Sequence, residues 1–336
     1  MKAYHLTADT GIDSLARVDL PDPKPAAGQV LIRIRAVSLN FRDLMIATGH
    51  YGISPKLPLI PVSDGAGEIV AVGEGVSRWH IGDRVAGAFF QGWISGPLVQ
   101  AAIQTRLGAE LPGVLAELVA LSENGVVAIP PHLSFEEAAT LPCAAVTAWQ
   151  ALVTRGNVSA DETVLVLGTG GVSLFALQFA KLHGARVIVT SSSDEKLARA
   201  RSLGADATVN YRTLPDWDQE VLRLTDGVGV DHVVEVGGKG TLPKSLRALA
   251  MNGTVSVIGG LDGFTAEILL FDVLRRAAVI RGIAVGSRGM HEAMHRAIAR
   301  SSLRPTIDQV FPFAEAPEAY RHLQSGRHFG KIVIAI

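Results

Sequence analysis

The stretch Thr163-Val-Leu-Val-Leu-Gly-Thr-Gly-Gly-Val-Ser173, with Arg186-Val-Ile-Val-Thr190 after it, decides the fold class. Thr163–Leu167 is apolar and β-branched and reads as a buried strand. The glycine turn then opens a helix that runs to about His183, and Arg186–Thr190 repeats the strand pattern. Strand, glycine turn, helix and strand within about 30 residues form the unit that binds dinucleotides. Gly168 permits the tight turn, and Gly170 lets backbone N–H groups approach a pyrophosphate. The helix N-terminus sets its partial positive charge against that anion. Gly168, Thr169, Gly170, Gly171 and Val172 are therefore the candidate phosphate-binding residues. Ser173 stands where the pattern usually has its third glycine, which lets the helix pack closely on the sheet. Serine is small, so a slight shift is expected rather than loss of binding.

The end of the second strand selects the cofactor. An acidic residue there would bond the ribose 2′-hydroxyl of NAD and repel a 2′-phosphate. Here the position holds Ser191, followed by Ser192, Ser193, Asp194, Glu195 and Lys196. Hydroxyls, Lys196, Arg199 and the Asn210-Tyr211-Arg212 segment suit a phosphate, while Asp194 and Glu195 suit the first turn of the following helix. NADPH is the expected cofactor.

A chain of 336 residues suggests two domains with sizeable cores. With a net charge of −1 and 48% hydrophobic residues, it offers no electrostatic case for nucleic acid or a membrane surface. No apolar run has the length of a membrane span, and the N-terminus lacks a signal pattern. The lone cysteine, Cys143, excludes an intramolecular disulfide and fits a reducing, cytoplasmic setting.

Residues up to about 144 read as β-rich: Val30–Val37 and Gly67–Gly73 are strands, and Gly82-Asp-Arg-Val85 turns into another. From 145 to 286 helices and strands alternate, which implies a parallel sheet. Asp231–Glu235 and Gly253–Gly259 supply later strands, and Val279–Val285 reads as the last. The tail reads as a helix near 289–301, a second near 315–325, and a closing strand at Lys331–Ala335.

Ala36-Val-Ser-Leu-Asn-Phe-Arg-Asp43, Gly65-Ala-Gly-Glu-Ile-Val-Ala-Val-Gly73, Gly82-Asp-Arg-Val-Ala86 and Ala139-Thr-Leu-Pro-Cys-Ala-Ala-Val-Thr147 carry a family resemblance. With the glycine turn, Asn210-Tyr-Arg212 and His328-Phe-Gly-Lys-Ile332, they cover essentially the whole chain. The chain resembles the medium-chain dehydrogenase/reductase family, in its zinc-independent quinone oxidoreductase and enoyl reductase branch. The resemblance implies an α/β fold: a GroES-like β domain (1–144 and 287–336) and a Rossmann doubly wound parallel-sheet domain (145–286) that binds NADP. Zinc-dependent members hold their metal with Cys, His and Cys, at positions that match Asn40, Ser63 and Cys143. One thiol cannot supply the three protein ligands that a catalytic zinc needs, so no metal is expected.

His291-Glu-Ala-Met-His295 matches a zinc-protease motif by letter. Met290, Ala293, Met294, Ala297 and Ile298 read as the apolar stripe of that helix. The histidines then fall on its shoulder and Glu292 pairs with Arg296, so the match is read as chance.

Metal-free hydride transfer needs the cofactor and a polarised acceptor. An activated C=C bond suits it, because negative charge then builds on a carbonyl oxygen that hydrogen-bond donors can stabilise. The resemblance places Asn40, Asp43 and Tyr51 in the cleft near the nicotinamide. Asn40 or Tyr51 is the candidate donor, and Asp43 the organiser. Thr147 would contact the nicotinamide ring, with Gly259 and Lys331 completing the cofactor set. Expected substrates are apolar carbonyl compounds or quinones. A metal-free NADP-dependent alcohol dehydrogenase and a non-catalytic NADPH-binding sensor remain as alternatives. Phe89, Phe90 and Trp93 in a long loop would bound the substrate pocket or fill the β-domain core. Val279–Val285, an apolar edge, points to a homodimer joined strand to strand, as is common in the family.

Overall fold

The strand Gln29–Leu39 alternates buried and more exposed residues up to Arg35, and from Ala36 to Leu39 every residue is buried. A strand that passes from alternation to continuous burial is passing from one covered face to two. It leads directly into Asn40 and the short helix Phe41–Ala47. The structure, a computed structural model, describes residues 1–53 and 55–336. The chain divides into two compact units, Met1–Val146 with Gly286–Ile336, and Thr147–Val285.

In the first unit Gln29–Leu39 pairs antiparallel with Asp64–Val72, with Lys331–Ala335 and, along its first half, with Leu118–Ser122. Leu39 lies opposite Ile332 and Ser38 opposite Asp64, so Asn40, Asp64 and Lys331 all stand at one end of the sheet.

The second unit is a six-stranded, all-parallel sheet. In chain order its strands are β1 (Thr163–Leu167), β2 (Arg186–Ser191), β3 (Ala207–Asn210), β4 (Val230–Glu235), β5 (Leu249–Val257) and β6 (Val279–Gly282). Their spatial order is 3-2-1-4-5-6, the doubly wound arrangement whose order reverses between β1 and β4. Helix α1 (Gly171–Leu182) follows β1, and α2 (Asp194–Ser202) follows β2. The central strand β1 is a near-continuous apolar run, as expected of a strand covered on both faces, and β4 beside it is buried at all but Asp231. Among the described residues no helix is long and apolar enough to cross a membrane.

Two sequence expectations change. The last strand stops at Gly282 rather than Val285, and β5 begins at Leu249 rather than Gly253. Beyond β6, the Ile283 N–H donates to Val257 O of β5 at 3.0 Å. Since N–H groups alternate sides along an extended chain, Ile280 and Gly282 carry the donors of the free edge.

The helix Arg288–Ser301 carries a correction. His291 and His295 are not on its shoulder but buried beside Met294 and Ile298, their ring centroids 4.3 Å apart. His295 Nδ1 sits 2.8 Å from Ala128 O, which accepts its proton. Glu292 pairs with Arg288 and Arg78, not with Arg296. Burial lowers His295 to a pKa of about 4 and also pushes His291 well below the usual imidazole range. Neutral imidazoles pack as apolar rings, which is why a count of hydrophobic letters misplaced the stripe.

A depressed folded-state pKa contributes stability that is complete above the unfolded value of 6.5 and is lost as pH falls towards 4. For His295 the full effect is about 3 kcal/mol. His295→Gln keeps a donor for Ala128 O but does not titrate. Urea midpoints at pH 7 and pH 4.5 should therefore fall less in this variant than in wild type. An equal fall in both would show that His295 titrates normally.

Candidate functional site

Two sets of residues carry chemistry, one in each unit. In the second unit, β1 ends at Leu167 and the chain turns through Gly168 at φ +75°, a left-handed conformation that favours glycine. Gly168 N–H donates to Thr190 O at 2.8 Å, which ties the turn to β2. Gly170 is the N-cap of α1 and supplies no capping side chain. The first N–H groups of this 12-residue helix thus lack the usual intrahelical acceptor, and space is open where a Cβ on Gly170 would sit. A backbone cradle with open space and a helix dipole behind it fits a dinucleotide pyrophosphate. Ser173 is buried, and its Oγ donates to Leu167 O at 2.7 Å. It pins the helix to the strand where glycine would only have permitted close packing.

Ser191 closes β2. The β2–β3 register sets Asn210 opposite Ser191, and Tyr211 N–H donates to Ser191 O at 3.1 Å. This brings Ser191, Ser192 and Tyr211 together beside the first turn of α2, whose N-cap Ser193 Oγ accepts from Lys196 N. Asp194 starts that helix, as its sequence suggested, and its carboxylate accepts from Asn210 Nδ2 at 2.7 Å. Gly259 follows β5, within the same unit, and its backbone lies against Val236. Thr147 is buried at the start of the unit. Sequence reasoning missed Glu235, fully buried at the end of β4. Its carboxylate accepts from Gly237 N, Gly238 N, Thr241 Oγ1 and Ser245 Oγ and so moulds the loop after β4. Its only signal was a carboxylate directly after the apolar pair Val233-Val234 at the end of a strand.

In the first unit the strand ends gather a buried charged cluster. Asn40 N–H donates to Asp43 Oδ2 at 2.8 Å, across the first turn of the helix Phe41–Ala47. Lys331, 3% exposed, donates from Nζ to Leu39 O and to Asn40 Oδ1, each at 2.6 Å. Asp64, 0% exposed, accepts from Ser63 Oγ at 2.6 Å and from Cys143 N at 3.0 Å. Burial raises the Asp64 pKa, which Lys331 opposes. Burial likewise lowers Lys331, which Asp64 opposes, and pushes the Cys143 thiol up. Asp43 is raised to about 6, chiefly by burial and against the pull of Arg42. Lys331, expected with the cofactor residues, thus has its ammonium committed to Asn40. Asp64 was not singled out from sequence, although it adjoins Ser63.

The structure does not place Tyr51 with this cluster through any hydrogen bond among the described residues. Its ring lies 5.3 Å from the Arg42 guanidinium carbon and 5.6 Å from that of Arg106, which Glu110 holds in a two-pronged pair. Arg42 is covered on another side by Phe89 at 4.7 Å and donates to Leu107 O. Phe89, Phe90 and Trp93 are all buried in edge-to-face contact, so they fill the core of the β unit.

Comparison with known proteins agrees with this architecture. A model described as an alcohol dehydrogenase GroES-like domain matches residues 26–131, and one described as a zinc-binding dehydrogenase matches residues 171–300. A zinc-type alcohol dehydrogenase-like protein of Schizosaccharomyces pombe is 45% identical over 334 residues, covering 97% of this chain and 96% of its own. A quinone oxidoreductase of Pseudomonas aeruginosa is 32% identical over 343 residues, covering 99% of each. A solved structure from Sinorhizobium meliloti, provisionally called an alcohol dehydrogenase, superposes with a TM-score of 0.94 at 43% identity, covering 100% of this chain and 98% of the other. The chain belongs to the medium-chain dehydrogenase/reductase family. It is an oxidoreductase with a GroES-like domain and a Rossmann-like domain, and the family implies an NAD(P) cofactor.

Family members include zinc enzymes, so the donor set needs a test. Asn40, Ser63 and Cys143 offer one amide, one hydroxyl already donating to Asp64 and one thiol held protonated by burial. An ammonium already sits on the Asn40 oxygen. These residues do not fit a zinc ion. Among the described residues no group of three His, Cys, Asp or Glu side chains is gathered that could hold a metal.

The raised Asp43 pKa has a definite sign. Between pH 4 and 6 the folded protein keeps a proton that the unfolded chain releases, so ionising Asp43 lowers stability as pH rises through that window. The cost at pH 8 is about 3 kcal/mol. Asp43→Asn can still accept the Asn40 N–H, and should be more stable relative to wild type at pH 8 than at pH 4.5. Chemical denaturation at both pH values checks it, and a pH-independent difference would contradict it.

Proposed function

We propose that the protein is an NADPH-dependent, metal-free oxidoreductase that delivers hydride to an activated C=C bond of an enone or alkenal, or to a quinone. The observation that carries this reading is the buried cluster itself. Where zinc relatives are expected to hold metal ligands, this chain sets an amide and an ammonium beside a buried carboxylate. That arrangement suits a hydrogen bond to a developing oxyanion and does not suit Lewis-acid activation of an alcohol.

Bound NADPH supplies the hydride. Added to the β-carbon, that hydride would push the C=C electron pair towards the carbonyl oxygen, and a proton from solvent would complete the α-carbon. Asn40 donates to that oxygen. Asp43 holds the Asn40 backbone and with it the first turn of the helix Phe41–Ala47. Tyr51, beside Arg42 and Arg106, is the second candidate donor. On the cofactor side, Gly168, Thr169, Gly170, Gly171 and Val172 would take the pyrophosphate. Ser191, Ser192, Lys196 and Tyr211 would take the 2′-phosphate, with Thr147 at the nicotinamide ring and Gly259 lining the site. No carboxylate closes β2, and Asp194 is engaged with Asn210, which supports NADPH over NADH.

NADPH consumption should be followed in parallel with a quinone, a 2-alkenal and a cyclic enone. Turnover with at least one is expected, and Asn40→Ala should lower it by about 10²–10³-fold while leaving NADPH affinity nearly constant. NADP reduction by alcohols without enone turnover would make it an alcohol dehydrogenase. NADPH binding without any turnover would make it a sensor. Ser191→Asp should shift preference towards NADH. Wild-type protein that binds NADH tenfold tighter than NADPH would overturn the phosphate-site assignment.

We also propose a homodimer. Val279 and Ile280 of β6 are exposed, and the segment just before that strand exposes Leu269, Leu270, Phe271 and Leu274. Pairing with the same strand of a second copy would satisfy the outward N–H groups of Ile280 and Gly282 and cover that apolar surface. Light scattering at micromolar concentration should report twice the chain mass of 35.5 kDa. Ile280→Pro, which removes an outward donor, should shift it to one. A wild-type monomer would exclude this assembly.

A further inference from the structure

We propose that Glu235 is a positioning residue of the cofactor crevice: its carboxylate locks the loops after β4 and β5 into one preformed wall for the nicotinamide half of NADPH. This deepens the proposed function and rests on it.

A carboxylate that is 0% exposed is costly unless donors fill its lone pairs. Glu235 Oε1 accepts from Gly237 N at 2.8 Å, Gly238 N at 3.0 Å and Thr241 Oγ1 at 2.6 Å, and Oε2 accepts from Ser245 Oγ. Two of these donors belong to consecutive peptide groups, and the opposite ends of the same groups are engaged as well. Val236 O accepts from Leu261 N at 3.1 Å, and Gly237 O from Asp262 N at 2.8 Å. Each peptide plane is thus clamped between the carboxylate on one side and the loop after β5 on the other. An amide polarised at its N–H is a stronger acceptor at its carbonyl, so the Glu235 charge also strengthens the bonds to Leu261 and Asp262. Lys239 N–H donates to Gly263 O at 3.0 Å, a third tie between the loops. Gly238, at φ +88°, lies so close to the second loop that a Cβ there would run into Gly263 O and Gly260 Cα.

Topology says what this wall faces. The strand order reverses between β1 and β4, and ligands of such sheets bind outside the carboxyl ends of the strands at that reversal. With the pyrophosphate on the glycine turn after β1 and the 2′-phosphate at the end of β2, the adenine half occupies the β1–β2 side. The other mononucleotide half then falls to β4 and β5, whose carboxyl ends carry the two clamped loops. Those loops hold Gly237, Gly238 and Gly240 on one side and Gly259, Gly260 and Gly263 on the other. Backbone so rich in glycine loses much conformational freedom when it orders. Without the carboxylate both peptide groups could turn, and the nicotinamide half would have to order the loops as it bound. A wall set in advance spares the ligand that cost.

The test compares two ligands on the full-length protein by titration calorimetry: NADPH, and adenosine 2′,5′-bisphosphate, which carries the adenine half alone. Glu235→Ala should raise the NADPH Kd roughly 10-fold and leave the bisphosphate Kd within about twofold of wild type. Glu235→Gln keeps an acceptor for Gly237, Gly238 and Thr241 and can donate to Ser245 Oγ. It should hold the NADPH Kd within about threefold of wild type. Equal weakening of both ligands in Glu235→Ala would mean a role in the unit as a whole and would overturn the proposal. An unchanged NADPH Kd, or a Gln variant as weak as the Ala variant, would overturn it too. If Glu235→Ala does not fold, Gly238→Ala decides, because its Cβ would part the two loops with Glu235 intact. Selective loss of NADPH then supports the wall, and an unchanged NADPH Kd refutes it. Wild-type protein that prefers NADH would fail the 2′-phosphate reading alone. NADH and ADP then replace the two ligands, and the same split judges Glu235.

Discussion

Charges taken out of water must be matched, and the end of the sheet in the first unit is built around that constraint. Lys331 and Arg42 bring two cations, and Asp43 and Asp64 two anions, to a region where each is less than a tenth exposed. Removing Lys331 or Asp64 from such a set leaves an uncompensated buried charge and typically costs about 3–5 kcal/mol. The strand registers, the capping turn at Asn40 and the Ser63 hydroxyl all serve this pairing.

The second unit solves its binding problem differently. Its candidate phosphate site uses backbone N–H groups and a helix dipole, and the side chains nearby mainly hold that backbone still. Ser173 shows the principle. A third glycine would let α1 approach the sheet by having no side chain, whereas the serine approaches and adds a bond to Leu167 O. Glu235 does comparable work for the loop after β4, with one carboxylate gathering four donors.

How much of this was legible depended on distance along the chain. Thr163–Thr190 could be read directly because its strand period, glycine turn and helix are local. Ser191 and Asp194 followed from their place after that unit, and the structure gives Asp194 the helix-starting position expected of it. The Lys331–Asn40 bond was not legible, since the two residues are 291 positions apart and meet only through a register that no local pattern encodes. Asp64 was hidden for the same reason, and because a lone acid beside a serine looks like surface. His291 and His295 were misplaced because an imidazole held neutral by burial behaves as an apolar ring. Ile283 looked like part of the edge strand, but a strand's composition does not reveal which of its N–H groups point inward.

The discontinuity of the first unit has a kinetic side. Its central sheet needs residues from both sides of the inserted segment 147–285, and closing a flexible loop of nearly 300 residues costs about 5 kcal/mol in chain entropy. The insert, by contrast, is continuous in sequence and can organise its parallel sheet alone. Gly286 lies directly against Val146, so the chain leaves the first unit and re-enters it at one point. Once the insert has folded, its ends are joined as by a short tether, and the loop left to close shrinks to roughly half its length. Folding order would then run from the inside of the sequence outward, with the buried ion cluster the last part to exclude water.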